Sequence, residues 1–486
     1  MIHPLSLWVV WVVFFLPAFA LDIQVNASFS VSQVCHVLGR TIEPVYWPGS
    51  KHYDADIKHF LPSSTQNATC SVEPKSTRDV ATVLEVIGVA RTPFAVKGVG
   101  HTSNVGFSST TGVQIAMSHF KNISYDAKTQ VVTVGAGVTW DEVYAVVNPL
   151  GRNVAGARAP GVGVAGFTLG GGVNYLQNEV GLTLDTVVGF TVVLPTGLVK
   201  EVTENDHDLW FALRGGLNQF GIVTEFKFKT FPQGQIWTVE LDVPGESVDE
   251  FNAAVADFFE TSTDPKATAI VQYRYFNSSL QLETTLFYNA PTPPKGLFDK
   301  MLAIPNASGT PATRNFTDIL ALGTPAVSGS RFTFDDTEVV QLSRSLLDAI
   351  ANETVVVGQA VEDTSAQLIM FMIWQNNVQD YLSHGSSSAW PPSRSFETSI
   401  NGWSLWLDES DDDAILANLQ SGGDRLGAYA QSLGQDLSKT SLYPNISPKN
   451  TPVEAIYGSN LGRLKQIKKK YDPAGVMCLT GGFKIC

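Results

Sequence analysis

Hydrophobic positions between residues 76 and 233 switch repeatedly between helical spacing and strand-like alternation over short stretches. In STRDVATVLEVIGVA, apolar side chains recur at helical spacing behind a Ser-Thr-Arg-Asp start, which predicts a helix. The same reasoning predicts further short elements: helices TWDEVYAVVNPLG and NDHDLWFALRGG, strands PFAVKG, VQIAMS, QVVTVGAG and GIVTEFKFKTF, and the hairpin DTVVGFTVVLPTGLVKEVT. These elements indicate an α+β domain rather than a long series of β-α-β units.

The pattern changes after Pro232-Gln-Gly234, where longer strand-like runs alternate with helical stretches. The predicted strands are IWTVELDV, AIVQYRYF, LQLETTLFYNA, ETVVVGQAV and SINGWSLWLD, and the predicted helices are VDEFNAAVADFFE and SRSLLDAI. Such a sequence predicts a second domain over 234–439, an antiparallel sheet with helices on one face. The remaining segment, 440–486, contains a further helical pattern in NLGRLKQIKKKYDP.

The first twenty residues, MIHPLSLWVVWVVFFLPAFA, have the pattern of a secretory signal. The apolar stretch from Leu5 to Phe15 is too short to span a bilayer, and Ala18-Phe19-Ala20 fits a cleavage site. No Lys or Arg precedes that stretch, so a signal anchor is the alternative. We expect a signal over 1–20, a first domain over 21–233 and a secreted protein with no membrane partner.

Charge excludes one class of partner. The chain has 32 Lys and Arg against 46 Asp and Glu, a net charge of −14, which repels nucleic acid phosphates. We therefore expect a small-molecule substrate and a monomer. The sequence contains no C-x-x-C, no H-E-x-x-H and no paired Cys/His ligand spacing, so we expect no metal site.

Cysteines and glycosylation sequons agree with secretion. The four cysteines Cys35, Cys70, Cys478 and Cys486 allow three pairings, between which the sequence does not choose. Asn-x-Ser/Thr sequons predict a glycoprotein; they stand at Asn26, Asn67, Asn122, Asn277, Asn306, Asn315, Asn352 and Asn445.

Two loops are dense in glycine: VKGVGHTSNVGFSS at 96–109 and GARAPGVGVAGFTLGGGVNY at 156–175. The second matches G-x-G-x-x-G at Gly161, Gly163 and Gly166. A dinucleotide-binding Rossmann fold is rejected, because no apolar strand precedes this match and FTLGGG is not expected to open a helix. Glycine-rich backbone can still hold the phosphates of a dinucleotide, and tight turns between strands are the alternative. His101 is then a structural residue, a metal ligand or a cofactor contact.

Five stretches, in order along the chain, resemble the vanillyl-alcohol-oxidase-type (PCMH-type) flavoproteins, specifically the berberine-bridge-enzyme-like branch. They are CSVEPKSTRDVATVL, FAVKGVGH, VGVAGFTLGGG, DLWFALRGGLNQFGIVTEF and LGRLKQIKKKYDPAGV. The resemblance implies a PCMH-type FAD-binding domain over 21–233, a substrate domain over 234–439 and a tail over 440–486 that returns to the FAD domain.

The resemblance implies covalent FAD, joined through its 8α-methyl group to His101. It also implies a set of cofactor contacts in the loops: Lys97, Gly98, Val99, Gly100, Thr102, Ser103, Gly106, Gly161, Val162, Gly163, Gly166, Thr168, Gly171, Gly221, Ile222, Val223 and Asn445. Val99 departs from the family's usual glycine. Many relatives carry a second link through a cysteine, but Ala159 stands at that position, so we expect attachment through His101 only. Val162 at the gatekeeper position resembles the oxygen-reactive members.

The catalytic base is expected from the second domain or the tail. YPNI at 443–446 is similar to the family's Tyr-x-Asn element, so Tyr443 is a candidate base, with a buried structural tyrosine as the alternative. Glu397 is a second candidate, with an exposed surface carboxylate as its alternative. Gln272 and Arg274 share one face of a predicted strand where they would meet substrate, or they are surface residues.

These observations predict a secreted FAD-dependent oxidase that transfers hydride from an alcohol, amine or sugar C–H and is reoxidised by O₂ to give H₂O₂. Three alternatives remain: an oligosaccharide oxidase forming lactones, a secondary-metabolite oxidative cyclase, and a non-catalytic flavin-fold binding protein. A metal-dependent hydrolase using His101 would need ligands that the sequence does not offer.

Overall fold

The computed structural model describes residues 29–42, 44–322, 329–376, 381–394 and 397–486. The expected signal over 1–20 and the sequon at Asn26 lie outside these residues. No helix in the described ranges combines the length and the apolar character that a membrane span requires.

Short helices and strands alternate through the first domain, as the sequence pattern predicts. Its elements are α1 Val31–Thr41, β1 Val45–Tyr46, α2 Lys51–Ile57, β2 Cys70–Val72, α3 Thr77–Ala90, β3 Phe94–Lys97, β4 Val113–Ala116, β5 Ile123–Asp126, β6 Val131–Gly135, α4 Trp140–Val147, β7 Arg152–Asn153, α5 Val164–Leu169, α6 Gln177–Val180, α7 Thr183–Thr186, β8 Val187–Val193, β9 Val199–Val202, α8 His207–Leu213, β10 Ile222–Lys229 and β11 Phe231–Pro232.

Two main sheets organise this domain. The first has the order β1-β2-β4-β3, in which β2, β4 and β3 run parallel and β1 is antiparallel. The second is antiparallel, with the order β5-β6-β10-β8-β9. Their shared core contains large side chains that are fully buried, including Trp140, Phe190, Phe226 and Phe228. The first glycine loop leaves the end of β3, so the parallel sheet fixes where that loop begins.

The second domain is built on an antiparallel sheet of seven strands, in the order β15-β12-β14-β13-β17-β18-β16. Its elements are β12 Ile236–Pro244, α9 Val248–Thr261, β13 Ala267–Phe276, β14 Ser279–Tyr288, α10 Asp299–Leu302, β15 Ala312–Arg314, β16 Arg331–Val339, α11 Arg344–Gln359, β17 Ala366–Asn376, β18 Thr398–Trp406 and α12 Asp412–Ser432. Helices α9, α11 and α12 cover one face with an apolar core. The structure thus confirms the α+β class and the antiparallel sheet with helices on one face.

The opposite face of this sheet, here called the front face, carries residues that lie across from one another on neighbouring strands. Glu338 lies opposite Ser399, and Asn401 lies opposite both Asp336 and Met372. Since side chains alternate along a strand, these residues share one face, and Met372 packs in the core cluster of the first domain. The front face is therefore turned toward the first domain.

One prediction of local structure was wrong. Residues 353–359, part of the predicted strand ETVVVGQAV, continue helix α11, which is capped by Ser343 and buries Leu346, Ile350 and Val357 at helical spacing. Their β-branched side chains favour a strand locally, but packing on the sheet stabilises the helix. The short α5 begins at Val164 behind the N-cap Gly163 and ends at Leu169, so FTLGGG at 167–172 contains the end of a helix and does not open one, as expected.

The structure chooses among the cysteine pairings. Cys35 is joined to Cys70, which ties α1 to β2, and Cys478 is joined to Cys486 near the end of the chain. Both pairs belong to the part of the chain that packs with the first domain.

The final segment contains α13 Val453–Tyr457 and α14 Leu461–Tyr471 and contacts the first domain at several points. The Lys468 ammonium donates a hydrogen bond to the Gln219 carbonyl at 2.7 Å. The Asn104 side chain donates to the Ser447 carbonyl at 2.9 Å. These contacts bring residues 443–447 next to the glycine loops.

Candidate active site

The backbone after β3 turns in a space that only glycine fits. A Cβ on Gly98 would lie 2.9 Å from the carbonyl oxygen of Ala136. Gly100 has a φ of +79°, and a Cβ there would lie 3.0 Å from the His59 ring. The two glycines let the chain turn without side chains, and turns of this kind present amide groups to phosphate oxygens.

The imidazole of His101 lies between Phe60 and the second glycine loop. Its ring stacks on Phe60 with centroids 4.5 Å apart, and a Cβ on Gly161 would lie 4.0 Å from Nδ1. Nδ1 is buried and has no hydrogen-bond partner among the described residues. Burial lowers the pKa of His101 to about 4, so the ring is neutral. Because buried polar atoms normally find partners, this nitrogen fits a bond to a carbon atom of a cofactor.

The second glycine loop touches the first. A Cβ on Gly163 would lie 2.5 Å from a methyl group of Val99, so these two positions are in direct contact. The Gly161 amide, at a φ of +76°, donates to Asp141 at 2.8 Å, and the Val162 carbonyl accepts from the Trp140 amide at 3.0 Å. Around Gly166 the structure leaves open space where a Cβ would stand. The structure thus places residues 98–101 of the first loop beside residues 161–166 of the second. These two stretches are here called the cradle.

Some predicted cofactor contacts point elsewhere. The Lys97 ammonium donates to the carbonyls of Ala55 and Lys58 at 2.8 Å each, so only the backbone of Lys97 adjoins the cradle. Thr102 and Ser103 are half-buried, and the Thr102 hydroxyl accepts from the Asn104 amide. The ammonium group of Lys97 therefore points away from the glycine loops, and its predicted cofactor contact is left to its backbone.

Four further predicted contacts are held by their own local structure. Gly106, with a φ of +89°, donates its amide to Ser109 at 3.0 Å within the first loop. Ile222 and Val223 pair with β8 and are buried in the sheet, after Gly221 with its φ of +144°. Contact of these four residues with a cofactor stays a prediction.

Thr168 and Gly171 lie at the end of α5. The Thr168 hydroxyl is buried with no partner in the described part of the chain. Gly171 has a φ of +124°, and a Cβ there would lie 2.6 Å from the Trp390 ring and 3.1 Å from Tyr443. Gly171 therefore lies where the second glycine loop meets the rings of Trp390 and Tyr443.

Tyr443 is buried with its hydroxyl group surrounded by donors. Its Oη accepts from the amides of Gly172 and Val173 at 3.1 Å each and from the side chain of Asn445 at 2.9 Å. Burial raises the pKa of Tyr443 above its ordinary value, while these donors and Arg158 oppose that rise. The ring packs against Trp390 at 4.8 Å between centroids. The phenol is thus fixed in orientation and surrounded by groups that favour negative charge on its oxygen.

Asn445 is fully engaged through its side-chain nitrogen, which also donates to the Phe167 carbonyl at 3.0 Å. A Cβ on Gly170 would overlap its amide group. Its nitrogen is the atom that a glycan would modify, so the sequon at Asn445 fits a buried residue and not a glycosylated one.

Glu397 is buried, contrary to the surface alternative. It is 4% exposed, and its two oxygens accept hydrogen bonds from the Ser441 amide at 3.0 Å and the Ser441 hydroxyl at 3.1 Å. Burial, against the hydrogen bonds from Ser441 and with a smaller contribution from the Asp336 carboxyl, raises the pKa of Glu397 to about 8. The Asp336 carboxyl in turn accepts from the Ser399 hydroxyl and the Tyr443 amide at 2.5 Å each.

Tyr443 and Glu397 open on one small cleft between the front face and the first domain, here called the aromatic cleft. It is lined by Val173, Glu338, Trp374, Tyr381, Trp390, Glu397, Thr398, Ser399 and Tyr443. Four of these side chains are aromatic and two are carboxyls. The structure therefore places both predicted catalytic candidates in the same cleft.

Sequence reasoning missed Glu338 and Asp336. Their signal is FDDTEV, in which Asp336 and Glu338 alternate with Thr337 as they would on a strand face, but 331–339 was not identified as a strand. Arg158 was also missed; its guanidinium lies 3.9 Å from the centroid of the Trp374 ring, and burial lowers its pKa to about 10.

Gln272 and Arg274 lie on the front face, as expected for one strand face, and both engage the buried Glu283. Of the two tryptophans near them in the sheet, Trp406 is buried in the helix-covered core, and Trp403 packs edge-on against Phe332 and Phe334.

Comparison with known proteins agrees with this geometry. The family described as "FAD binding domain" matches residues 68–203, and the family described as "Berberine and berberine like" matches residues 442–480. The first match contains both glycine loops and the second contains Tyr443 and Asn445.

Three of the curated relatives are fungal proteins. An "Uncharacterized FAD-linked oxidoreductase" of Arthroderma benhamiae is 32% identical over 323 residues, 64% of this chain and 64% of the relative. The "FAD-dependent monooxygenase drtC" of Aspergillus calidoustus is 28% identical over 90% of this chain and 86% of its own length. The "Bifunctional solanapyrone synthase" of Alternaria solani is 27% identical over 90% of this chain and 85% of its own length.

Solved structures share the fold. The BBE-like 1 protein of Physcomitrella patens has a TM-score of 0.76 at 19% identity, covering 94% of this chain and 98% of its own. The carbohydrate oxidase of Microdochium nivale has a TM-score of 0.76 at 18% identity, covering 92% and 98%. The glucooligosaccharide oxidase of Acremonium strictum, described with 6-S-cysteinyl, 8α-N1-histidyl FAD, has a TM-score of 0.74 at 19% identity, covering 92% and 98%.

Proposed function

Since this chain belongs to the FAD-linked oxidoreductases of the berberine-bridge-enzyme-like type, we propose that it is a secreted oxidase of a small alcohol, amine or sugar. In the proposed reaction a hydride leaves a substrate carbon and a proton leaves the neighbouring oxygen or nitrogen. Dioxygen then takes two electrons and two protons to form hydrogen peroxide.

The proposal rests on the surroundings of His101. Its Nδ1 is buried without a hydrogen bond, beside backbone that only glycine fits, and the ring is neutral. A neutral imidazole nitrogen has a free lone pair, so Nδ1 could hold the 8α-carbon of the flavin. That bond would replace a C–H bond of the methyl group, and dioxygen would take the two electrons and two protons released. We therefore propose that FAD is attached through His101 alone, because Ala159 has no sulfur with which to form a second link.

The residues of the aromatic cleft would orient the substrate and move its proton. When bound, the flavin accepts the hydride and passes both electrons to dioxygen. Trp374 and Trp390 exclude water and hold the substrate carbon in place. Tyr443 Oη, whose ionised form is favoured by three donors, would receive the proton that leaves the substrate oxygen or nitrogen, and Glu397 supplies a second proton acceptor above its raised pKa of about 8.

Two observations support the secreted oxidase in particular. Both disulfides require an oxidising compartment. Val162, the gatekeeper of the resemblance, is half-buried at the junction of the two glycine loops and leaves a small side chain where dioxygen would approach.

A lactone-forming oxidation of oligosaccharides is the second candidate function. The observation that favours it is the polar row of Gln272, Arg274 and Glu283 on the front face, which offers hydrogen-bond groups to hydroxyls. These side chains already bind one another, however, and the aromatic cleft is compact. We therefore place small alcohols and amines, of the kind found in secondary metabolism, before sugars.

The test is acid precipitation of the secreted protein followed by peptide mapping. We expect yellow colour in the pellet, flavin on the peptide that contains His101, and peroxide formation with at least one donor of a panel of alcohols, amines and sugars. His101→Ala should release its flavin on precipitation, whereas His119→Ala, a half-exposed histidine of the same domain, should retain it. Colourless wild-type protein, or flavin on another peptide, would contradict the proposal.

A further inference from the structure

Arg158, in the second glycine loop, carries a positive charge that no described group of the protein pairs with. Its side chain is half-buried, and its guanidinium lies 3.9 Å from the centroid of the Trp374 ring. Within the described ranges it forms no hydrogen bond and no ion pair. Arg214 and Arg394, by contrast, both pair with the buried Asp185. Since a cation withdrawn from water is costly unless it is paired, we expect the partner of Arg158 to come from outside the protein.

The groups around the guanidinium do not supply the missing negative charge. Those that influence its pKa through their charge are the phenols of Tyr175, Tyr443 and Tyr144, with no carboxylate of the described chain among them. Burial lowers the pKa of Arg158 to about 10 and raises that of Tyr175 to about 12, so at neutral pH the guanidinium is charged and the Tyr175 phenol is neutral. Tyr443 already accepts three hydrogen bonds, and Tyr144 donates its hydroxyl to the Ala157 carbonyl at 2.8 Å. Both of these hydroxyls are therefore engaged with other groups.

Tyr175 supplies a second unpaired donor beside Arg158. Its ring stacks on Phe287 with centroids 4.9 Å apart and meets Phe316 edge-on, which fixes its orientation. Its hydroxyl forms no hydrogen bond within the part of the chain that the structure describes. Tyr175 raises the pKa of Arg158 and Arg158 lowers that of Tyr175, so the two groups lie close together. A guanidinium presents parallel N–H groups that match the two oxygens of a carboxylate, and a phenol can donate to the same carboxylate.

Arg158 lies between the cradle and the aromatic cleft. Along the chain it precedes Gly161, where a Cβ would lie 4.0 Å from Nδ1 of His101. Trp374, on which it stacks, lines the cleft, and so does Tyr443, which influences its pKa. A group bound by Arg158 would therefore border both the proposed flavin attachment and the space for the substrate.

The carboxyls in and beside the cleft do not cancel this charge under weakly acidic conditions. Burial raises the pKa of Glu397 to about 8 and that of Asp336 to about 7, and it raises that of Glu338 well above its ordinary value. At pH 6 these three groups are therefore mostly protonated, whereas Arg158 is charged. The charge that a substrate meets beside the cleft at that pH is positive.

We propose that Arg158 binds a carboxylate of the substrate, with the Tyr175 hydroxyl as a further hydrogen-bond donor. This inference rests on the proposed function and narrows its substrate class to alcohols or amines that also carry a carboxylate. The Trp374 ring covers one face of the guanidinium, so the carboxylate binds in the plane of its N–H groups.

The test compares two probes of nearly equal size that lack an alcohol or amine group to oxidise, phenylacetate and phenylacetamide. At pH 6 the first is an anion and the second is neutral. Calorimetric titration of the purified protein should give a dissociation constant at least about tenfold lower for phenylacetate, because charge-assisted hydrogen bonds are stronger than neutral ones. The chain's net charge of −14 opposes nonspecific binding of an anion, so this preference reports a local cation. Equal affinities, or no measurable binding of either probe, would overturn the proposal.

Variants assign the effect to one side chain. Arg158→Gln should weaken phenylacetate at least about tenfold and leave phenylacetamide within about twofold. Arg158→Lys should lie between, because an ammonium keeps the charge but lacks the planar fork. Arg463→Gln is the matched control, since Arg463 is an exposed arginine on α14 that stacks on Phe211 at 3.8 Å; it should keep the preference for phenylacetate. A preference that survives in Arg158→Gln, or that is lost in Arg463→Gln, would also overturn the proposal.

A further variant tests the second donor. Tyr175→Phe should weaken phenylacetate by a smaller factor, about threefold, because one hydrogen bond from a neutral group is lost. Unchanged binding of phenylacetate to this variant would contradict the assigned contact with Tyr175.

The two proposals fail separately. A protein that keeps covalent flavin and forms peroxide but binds both probes equally contradicts only the carboxylate site. A protein without attached flavin that still prefers phenylacetate contradicts only the oxidase.

Discussion

Replacing Tyr443 by Phe should destabilise the protein by an amount that its contacts allow us to calculate. Removal of Oη leaves three N–H groups without an acceptor: the amides of Gly172 and Val173 and one of the two N–H groups of the Asn445 side chain, whose other N–H group keeps the Phe167 carbonyl. A buried donor left unsatisfied costs about 1–3 kcal/mol. Taking about 1 kcal/mol for each, because two of the three sites are only partly buried, we expect a loss of about 3 kcal/mol.

Tyr457→Phe is the matched control. Tyr457 is also fully buried, but its hydroxyl has no hydrogen-bond partner among the described residues. Its removal should therefore leave stability unchanged or raise it slightly. The two substitutions remove the same atom from equally buried rings, so the difference between them isolates the three hydrogen bonds.

The measurement is guanidinium-induced unfolding of wild type and both variants, followed by tryptophan fluorescence and circular dichroism. We expect a clearly lower midpoint for Tyr443→Phe and a midpoint at or above wild type for Tyr457→Phe. Equal midpoints for the two variants would refute the reasoning, because the hydroxyl of Tyr443 would then not be held as described.

Three further predictions follow from the same site. Peptide mapping of the protein expressed through a secretory host should find Asn445 without a glycan, because its side-chain nitrogen makes two internal hydrogen bonds; a glycan there would contradict the packing. Gly170→Ala should lower flavin content or soluble yield, since its Cβ would overlap Asn445, whereas Gly434→Ala, a positive-φ glycine with open space around it, should cost only its backbone strain. Burial raises the pKa of Glu397 from its ordinary 4.5 to about 8, so the protonated form is favoured by folding and its stabilisation is lost as pH rises through that range. The thermal midpoint of Glu397→Gln should therefore rise relative to wild type between pH 5 and pH 8, and a constant difference would contradict the assigned pKa.

Local patterns predicted those parts of the fold whose structure is decided locally. The hairpin of β8 and β9 turns at Pro195-Thr-Gly197, and helix α4 begins at Thr139 with a reciprocal cap from Glu142. Both signals lie within a few residues of sequence. The strand prediction for residues 353–359 was wrong because their β-branched side chains favour a strand, whereas packing against the sheet favours a helix. That packing involves residues distant in sequence, so a local window does not contain it.

The candidate site likewise contains residues that the local sequence reveals and residues that it does not. Glycine loops and His101 could be found because close backbone approach demands glycine at particular positions. The burial of Glu397 could not be predicted, since its partner Ser441 lies 44 residues away in the sequence. The direction of the Lys97 side chain could not be predicted either, because it depends on carbonyl groups 39 and 42 residues earlier. Glu338 stands out only once β16 and β18 are paired.

Contacts of the final segment with the glycine loops have a consequence for biosynthesis. Tyr443 and Asn445 reach the loops from the end of the chain, long after His101 has left the ribosome. These contacts are therefore completed only after residues 443–447 have been translated, and a chain that is truncated before this segment would lack them. A fragment that contains both glycine loops but ends before residue 443 would accordingly be an incomplete unit for any ligand held between the loops and this segment.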